Sequence, residues 1–260
     1  MKEIKRIVSL APSNTEIVFA LGKGDQMVGV SACCDYPEQV KSIKQIGGYA
    51  SPDIDKIASL CPDVVLATEI DLKKGAISKL EAKGITVAVV SAGTIVDLPC
   101  AVLSVGKLIG CPEEASELAE QIRIKIEVVT RKAEKVKQKP KVCYICSSNP
   151  LCTGTQSPVI DKLLVTAGGD NVMSGVKAET VEDFLKTVIE INPEIILISK
   201  GHKENIDLLS YAKKEIDIRQ TKAYLDNKIY KIDSKLVCRP GPRAVEGLER
   251  INSFIYSESF

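Results

Sequence analysis

The chain offers one histidine, His202, and nine cysteines, at positions 33, 34, 61, 100, 111, 143, 146, 152 and 238. With a single imidazole, a zinc or manganese centre built from several histidines is excluded. Any Ser-His-Asp triad would have to use His202. Nine is an odd number of thiols, spread too widely for a small disulfide scaffold. Cys61, Cys100 and Cys111 lie in apolar surroundings and read as inert core residues. Cys143 and Cys146 have C-x-x-C spacing inside a run that reads as a strand. Alternate strand side chains face opposite ways, so the two thiols point apart. The nucleophile elbow G-x-S-x-G, the phosphate loop G-x-x-x-x-G-K-[ST], the dinucleotide fingerprint G-x-G-x-x-G and H-E-x-x-H are all missing. Catalytic chemistry has no visible home here, which turns attention to binding.

The elements that would position a binding site are legible. Residues 112–140 carry Ala115, Leu118, Ala119, Ile122, Ile126, Val129, Ala133 and Val136 at steps of three or four, one apolar face of a helix. Pro112 suits a first helical position. Glu113 and Glu114 suit the positive end of the helix dipole, and Lys135, Lys137 and Lys139 the negative end. Such a helix would be roughly 40 Å long. It separates two copies of one phrase, DIDKIASLCPDVVLA at 53–67 and FLKTVIEINPEIILI at 184–198. Each reads as a short helix ended by proline, then an acid, then a continuously apolar strand of the kind buried on both faces of a parallel sheet. The fold class is therefore α/β, with two lobes of mainly parallel sheet joined by one long helix: an N-terminal lobe at 1–111, the bridging helix at 112–140 and a C-terminal lobe at 141–260.

Strand, polar loop and helix alternate throughout. Residues 11–16 form a loop in which Ser13 or Asn14 can cap a helix. Further loops lie at 32–37, 47–52, 68–69, 91–94, 147–154, 199–202 and 237–243. In parallel α/β sheets ligands sit beyond the carboxyl ends of the strands, so these loops should share a rim in each lobe. Lysine plus arginine, 35, nearly cancel aspartate plus glutamate, 34, and no basic stripe appears. Nucleic acid is thus excluded as a partner. No run approaches a membrane span, and residues 1–6 lead into a strand without a signal-peptide core, so taken by itself the chain is expected to be without a leader.

The motifs RIVSLAPSNTEI at 6–17, CDYP at 34–37, GGY at 47–49, SP at 51–52, IASLCPDVVLA at 57–67, GGDN at 168–171 and RPGPR at 239–243 run in order over nearly the whole chain. Together they resemble the helical-backbone class (class III) of substrate-binding proteins of ABC importers, and within it most closely the cobalamin-binding, BtuF-like branch. The resemblance implies two α/β lobes on a rigid helix, ligand held in the cleft between them with little closure, and no enzymatic activity. It implies extracytoplasmic residence, periplasmic or lipid-anchored, as a monomer. The partner would be an ABC permease dimer with its ATPase subunits. No intrinsic cofactor is expected. The ligand would be cobalamin or a related corrinoid, alternatively haem or a ferric siderophore. A different class, a cytosolic metallocofactor-handling enzyme or carrier, is suggested by the cysteines and the absent leader.

By the same resemblance, Ser13, Asn14, Cys34, Tyr36, Tyr49, Ser51 and Glu69 match the first rim, and Asn149, Pro150, Leu151 and Arg239 the second. Tyr36 is expected as a partly buried ring. Tyr49, exposed between Gly48 and Ala50, falls where cobalamin binders place an aromatic over the corrin. Arg243 is expected to pair with an acid at the start of the last helix. His202 ends the second repeat strand, where a neutral imidazole could be axial ligand to a bound cobalt or iron. Permease docking falls to Asp55 in the first lobe. Its counterpart in the repeat is Lys186, so Glu182 and Glu190 are the candidates in the second. Absence of tryptophan and only 4% aromatic residues leave a flat macrocycle less stacking surface than the branch usually provides.

Overall fold

A computed structural model describes residues 3–49, 51–145, 147–148, 151–152, 157–176, 181–200 and 218–256. They fall into two compact units, Met1–Arg123 with Pro240–Pro242, and Ile124–Arg239 with Arg243–Phe260.

The first unit runs β1 (Ile7–Ser9), α1 (Pro12–Ala20), β2 (Met27–Val30), β3 (Gly47–Gly48), β4 (Ser51–Pro52), α2 (Ile54–Ser59), β5 (Val64–Ala67), α3 (Glu69–Lys73), α4 (Ala76–Glu81), β6 (Val87–Val89) and α5 (Leu98–Ile109). Its sheet has the order β2-β1-β5-β6, every pair parallel. Then comes α6 (Pro112–Glu134), with the unit boundary falling inside it at Arg123. The second unit contains β7 (Lys141–Ile145), β8 (Ser147–Ser148), β9 (Leu151–Cys152), α7 (Pro158–Thr166), β10 (Asp170–Asn171), α8 (Val181–Ile191), β11 (Ile195–Lys200), β12 (Ile229–Asp233) and a closing helix, Ala244–Tyr256. Its sheet, β10-β7-β11-β12, is also parallel and has the same topology.

The repeat extends to single atoms. Ile7 pairs with Val64, and Val142 with Ile195, so Arg6 and Lys141 are equivalent, as are Asp63 and Glu194. Asp63 Oδ2 accepts the backbone N–H of Lys5 and Arg6, both at 3.0 Å, and Glu194 Oε1 accepts that of Lys141 at 3.2 Å. The side chain of Arg6 donates to Leu60 O at 2.7 Å, and Lys141 Nζ to the equivalent Ile191 O at 3.2 Å. A cation thus satisfies the orphan carbonyls at the end of the preceding helix. Between helix and proline, Cys61 (φ 45°) and Asn192 (φ 52°) both take the left-handed conformation. The cores match as well. Val8, Leu10, Ile57, Val65 and Ala67 in the first correspond to Cys143, Ile145, Val188, Ile196 and Ile198 in the second. Cys143 is therefore the second copy of Val8. Complete burial pushes its thiol up to about 12, so it is a core side chain without redox reactivity.

Several expectations need correction. The long helix stops at Glu134 rather than near 140, because Pro140 forces the preceding residue out of helical conformation. At 1.5 Å per residue it is about 35 Å long. The expected loop at 11–16 is helical from Pro12, with Ala11 as N-cap and no capping side chain, so neither Ser13 nor Asn14 caps α1. Cys61 and Cys100 are exposed rather than buried. Cys61 protrudes from its left-handed turn, and Cys100 lies on α5 between the buried Pro99 and Ala101. Cys111 is buried as expected. The helix α3 was not anticipated, although Thr68-x-x-Asp71 is a capping-box spacing.

Candidate functional site

In the first unit all four parallel strands of the sheet deliver their carboxyl ends to one rim. From β1 the chain enters α1 directly. There Ser13 is buried, with Gly241 of the Pro240–Pro242 segment so near that a Cβ on it would stand 3.3 Å from Ser13 Cα and 3.0 Å from Glu16 Oε2. Asn14, 1% exposed, donates through Nδ2 to Ala67 O at 3.2 Å and to Val90 O at 3.0 Å. It clamps the ends of β5 and β6, while its Oδ1 is buried without a hydrogen-bond partner among the described residues. Cys34 is buried with its Sγ 3.2 Å from Thr15 Oγ1. These three residues are built into the rim from inside.

Tyr49 arrives from the far edge of the sheet. Val30 N–H donates to Lys44 O and Ile46 N–H to Val30 O, so this segment runs beside β2. The hairpin β3–β4 follows, with Tyr49 directly after β3. Gly47 has φ 107°, and a Cβ there would stand 2.7 Å from Ser51 O, so glycine is required for this reversal. Tyr49 is half-buried rather than exposed. Loss of solvent pushes its phenol above the usual tyrosine range; the Thr68 side chain works against this, and the charge of nearby Asp71 adds to it.

Thr68 belongs to a closed cap. Its N–H donates to Asp71 Oδ2 at 2.8 Å, and its Oγ1 donates to the same oxygen at 2.9 Å. Asp71 is 1% exposed, with Oδ1 buried and unpartnered among the described residues. Sequence reading passed over Asp71, although the capping-box spacing pointed to it. Ser51 and Glu69 are exposed on the same unit. Tyr36 is also exposed, at 46%, and corrects the expectation of a partly buried ring, because the CDYP loop lies outside the strands that would cover it. The exposed Ile70 and Leu72 of α3 put aliphatic surface next to Thr68.

In the second unit Leu151 lies in β9, paired with Ser148, and Arg239 is half-buried. Asn149, Pro150, Cys146 and His202 lie outside the described residues. Arg243 is half-buried, and Glu246, in the first turn of the last helix, pairs with Arg250 at 2.5 Å. Asp55 stands on the outward face of α2 with its side chain 88% exposed, 2.9 Å from Lys83 Nζ. Lys186 and Glu190 are exposed on α8, and of Glu182 only the helix backbone is described. Among the described residues no cluster of three or more histidine, cysteine or acidic side chains could hold a metal ion.

These features have parallels among known proteins. Residues 7–236 match the family model of the periplasmic binding proteins. An uncharacterized ABC transporter substrate-binding lipoprotein of Bacillus subtilis (strain 168), YvrC, is 30% identical over 100% of this chain and 82% of its own length. A vitamin B12-binding protein of Vibrio campbellii is 26% identical over 95% of this chain and 88% of its own. The crystal structure of a possible iron-binding, periplasmic solute-binding protein of Staphylococcus epidermidis ATCC 12228 superposes with a TM-score of 0.79 at 29% identity, covering 98% of this chain and 100% of that one. These relatives are solute-binding proteins, not enzymes. The chain belongs to the periplasmic binding protein family, as a solute-binding protein of the ABC-importer type.

Proposed function

We propose that this protein captures a cobalamin-like corrinoid outside the cytoplasmic membrane and delivers it to an ABC permease. The observation that carries this reading is Tyr49, half-buried at the tip of its glycine-dependent hairpin, in a chain similar over 95% of its length to a vitamin B12-binding protein. A half-buried aromatic ring on the rim suits a flat macrocycle. Ile70 and Leu72 offer aliphatic contact where this tryptophan-free chain lacks further rings. On this reading Tyr36, Ser51, Glu69, Asn149, Pro150, Leu151 and Arg239 supply further ligand contacts, and His202 is axial ligand to the bound metal. Ser13, Asn14 and Cys34 hold the rim in shape rather than reach the ligand. Asp55, exposed at the start of α2, docks the permease, with Glu182 or Glu190 as the second contact. The protein works as a monomer.

A second reading, an iron chelate such as haem or a ferric siderophore, is favoured by the likeness to the Staphylococcus epidermidis protein. Titration with cyanocobalamin, cobinamide and haemin, followed by visible absorbance and calorimetry, separates the two. One-to-one corrinoid binding, weakened about tenfold or more in Tyr49→Ala but little in Tyr49→Phe, which keeps the ring, is the expected result. Loss of axial-ligand spectral changes in His202→Ala would make His202 the metal ligand. Binding of haemin alone would transfer the assignment to haem, and binding of none of the three would sink the tetrapyrrole reading.

A further inference from the structure

The end of α6 carries more positive charge than a helix end requires. Between Arg131 and Lys141 stand six cations and one acid, Glu134, a local excess of five in a chain whose net charge is +1, so the remaining residues together carry −4. The helix closes at Glu134, and its dipole acts only within the last turn. That accounts for Lys132 and Lys135. Lys137 and Lys139 lie beyond it, exposed, and among the described residues neither has a carboxylate partner. In the first unit the cation ahead of β1, Lys5, is bound to Glu3 at 2.9 Å. A recess lies at the same end of the second sheet. Before β2 the chain makes a 3₁₀ turn, Gly24–Gln26, whereas it passes from Gly168 into β10 through Gly169 alone, where a Cβ would stand 2.6 Å from Val142 Cγ2. Beside this shortened connection is a cavity of about 550 Å³ whose lining includes Gln138, Lys139, Lys141, Asp170 and Glu194. Glu194 is already held by Lys222 at 2.7 Å and by the Lys141 N–H. Among the described residues Asp170 is the acid of the recess that no cation holds.

We propose that this amino-end floor of the second unit binds a linear phosphate-bearing polymer of the cell envelope, the recess admitting part of the chain and Lys137 and Lys139 meeting its phosphates. This rests on the extracytoplasmic reading for its setting and not on the corrinoid. Lysine ammonium groups serve phosphate as point charges, and counterions released from the polymer supply the free energy. No aromatic side chain lies in 131–141 or lines the recess, so a nucleic-acid base has nothing to stack on. A bilayer is flat and does not enter the recess, whereas a single chain does.

The test titrates the whole protein with poly(glycerol phosphate) by calorimetry over a range of salt. The logarithm of the binding constant should fall linearly with that of the salt concentration. Lys137→Gln combined with Lys139→Gln should lower that slope by about 1–2 and weaken binding about tenfold or more at low salt. Lys73→Gln combined with Lys74→Gln, the same change of charge on exposed residues at the end of α3, should leave it unchanged. Asp170→Asn should tighten it. Equal weakening by the two double variants would reduce the effect to net charge and overturn the site, and weaker binding in Asp170→Asn would remove the recess from it. Polyglutamate, which lacks phosphate, should bind less tightly, and equal binding overturns the choice of phosphate. Tighter binding to phosphatidylglycerol vesicles or to single-stranded DNA than to the polymer would overturn the occupant, and no binding of the polymer at low salt would overturn the whole proposal. Cobinamide titrated with and without the polymer keeps the two readings apart, since each ligand should bind regardless of the other.

Discussion

The two copies of helix, proline, acid and strand agree at one end and part at the other. At the amino end of the strand each has a left-handed residue, an acid holding the backbone of the neighbouring strand and a cation on the helix carbonyls. At the carboxyl end, Thr68 closes on Asp71, whereas its counterpart Ser199 is buried with a hydroxyl that has no partner among the described residues. Even the strand interiors correspond, down to Cys143 in the place of Val8. The amino end makes the sheet, and the same solution serves twice. The carboxyl end faces the rim, where each copy has a separate task, and there the side chains differ.

The largest expected effect tests the likeness. Leu66 and Leu197 occupy equivalent, fully buried positions in β5 and β11. Leu66→Ala and Leu197→Ala should each cost about 2–5 kcal/mol in denaturant unfolding. A loss confined to one of them would break the equivalence. The next test concerns the difference. Thr68→Val leaves Asp71 Oδ2 with one donor instead of two and should destabilise by about 1 kcal/mol. Ser199→Ala removes a buried unpaired hydroxyl and should be neutral or stabilising. The same sign in both would show that Ser199 is bonded after all.

Smaller still is the effect at the shared left-handed turn. Cys61→Gly relieves a conformation that costs a non-glycine residue about 1 kcal/mol and should raise the melting temperature. Asn192→Gly should not, because Asn192 Oδ1 also accepts the Lys222 N–H at 2.7 Å. The smallest effect is a pH dependence at Glu194. Lys222 beside Glu194, with the Lys141 N–H, holds the Glu194 carboxyl below the usual range against some desolvation. A depressed folded value means stability present above the unfolded value of about 4.3 and lost as pH falls through the folded one. Glu194→Gln should therefore be less stable than wild type at pH 7, with the gap closing below about pH 4. As the pair is largely exposed, the gap should be well under 1 kcal/mol.

Much of this protein was readable in the chain. Val64 to Ala67 and Ile195 to Ile198 are apolar without interruption, and strands covered on both faces require that. The helix α6 announces its face every three or four residues. The candidate site was legible only as a set of loops. Asn14 reads as a cap or a ligand contact, yet its amide is spent on carbonyls 53 and 76 residues away. Tyr49 reads as an exposed ring, yet at the glycine-dependent hairpin it is half-buried.

Sequence alone determined the repeat and the parallel α/β class, because burial periodicity and helix signals are properties of neighbouring residues, and its ordered motifs carried the resemblance to the family. Tertiary structure decided which rim side chains are consumed inside the protein. A hydrogen bond is a choice among partners, and here the partners come from strands far apart in the chain and adjacent only in the folded sheet.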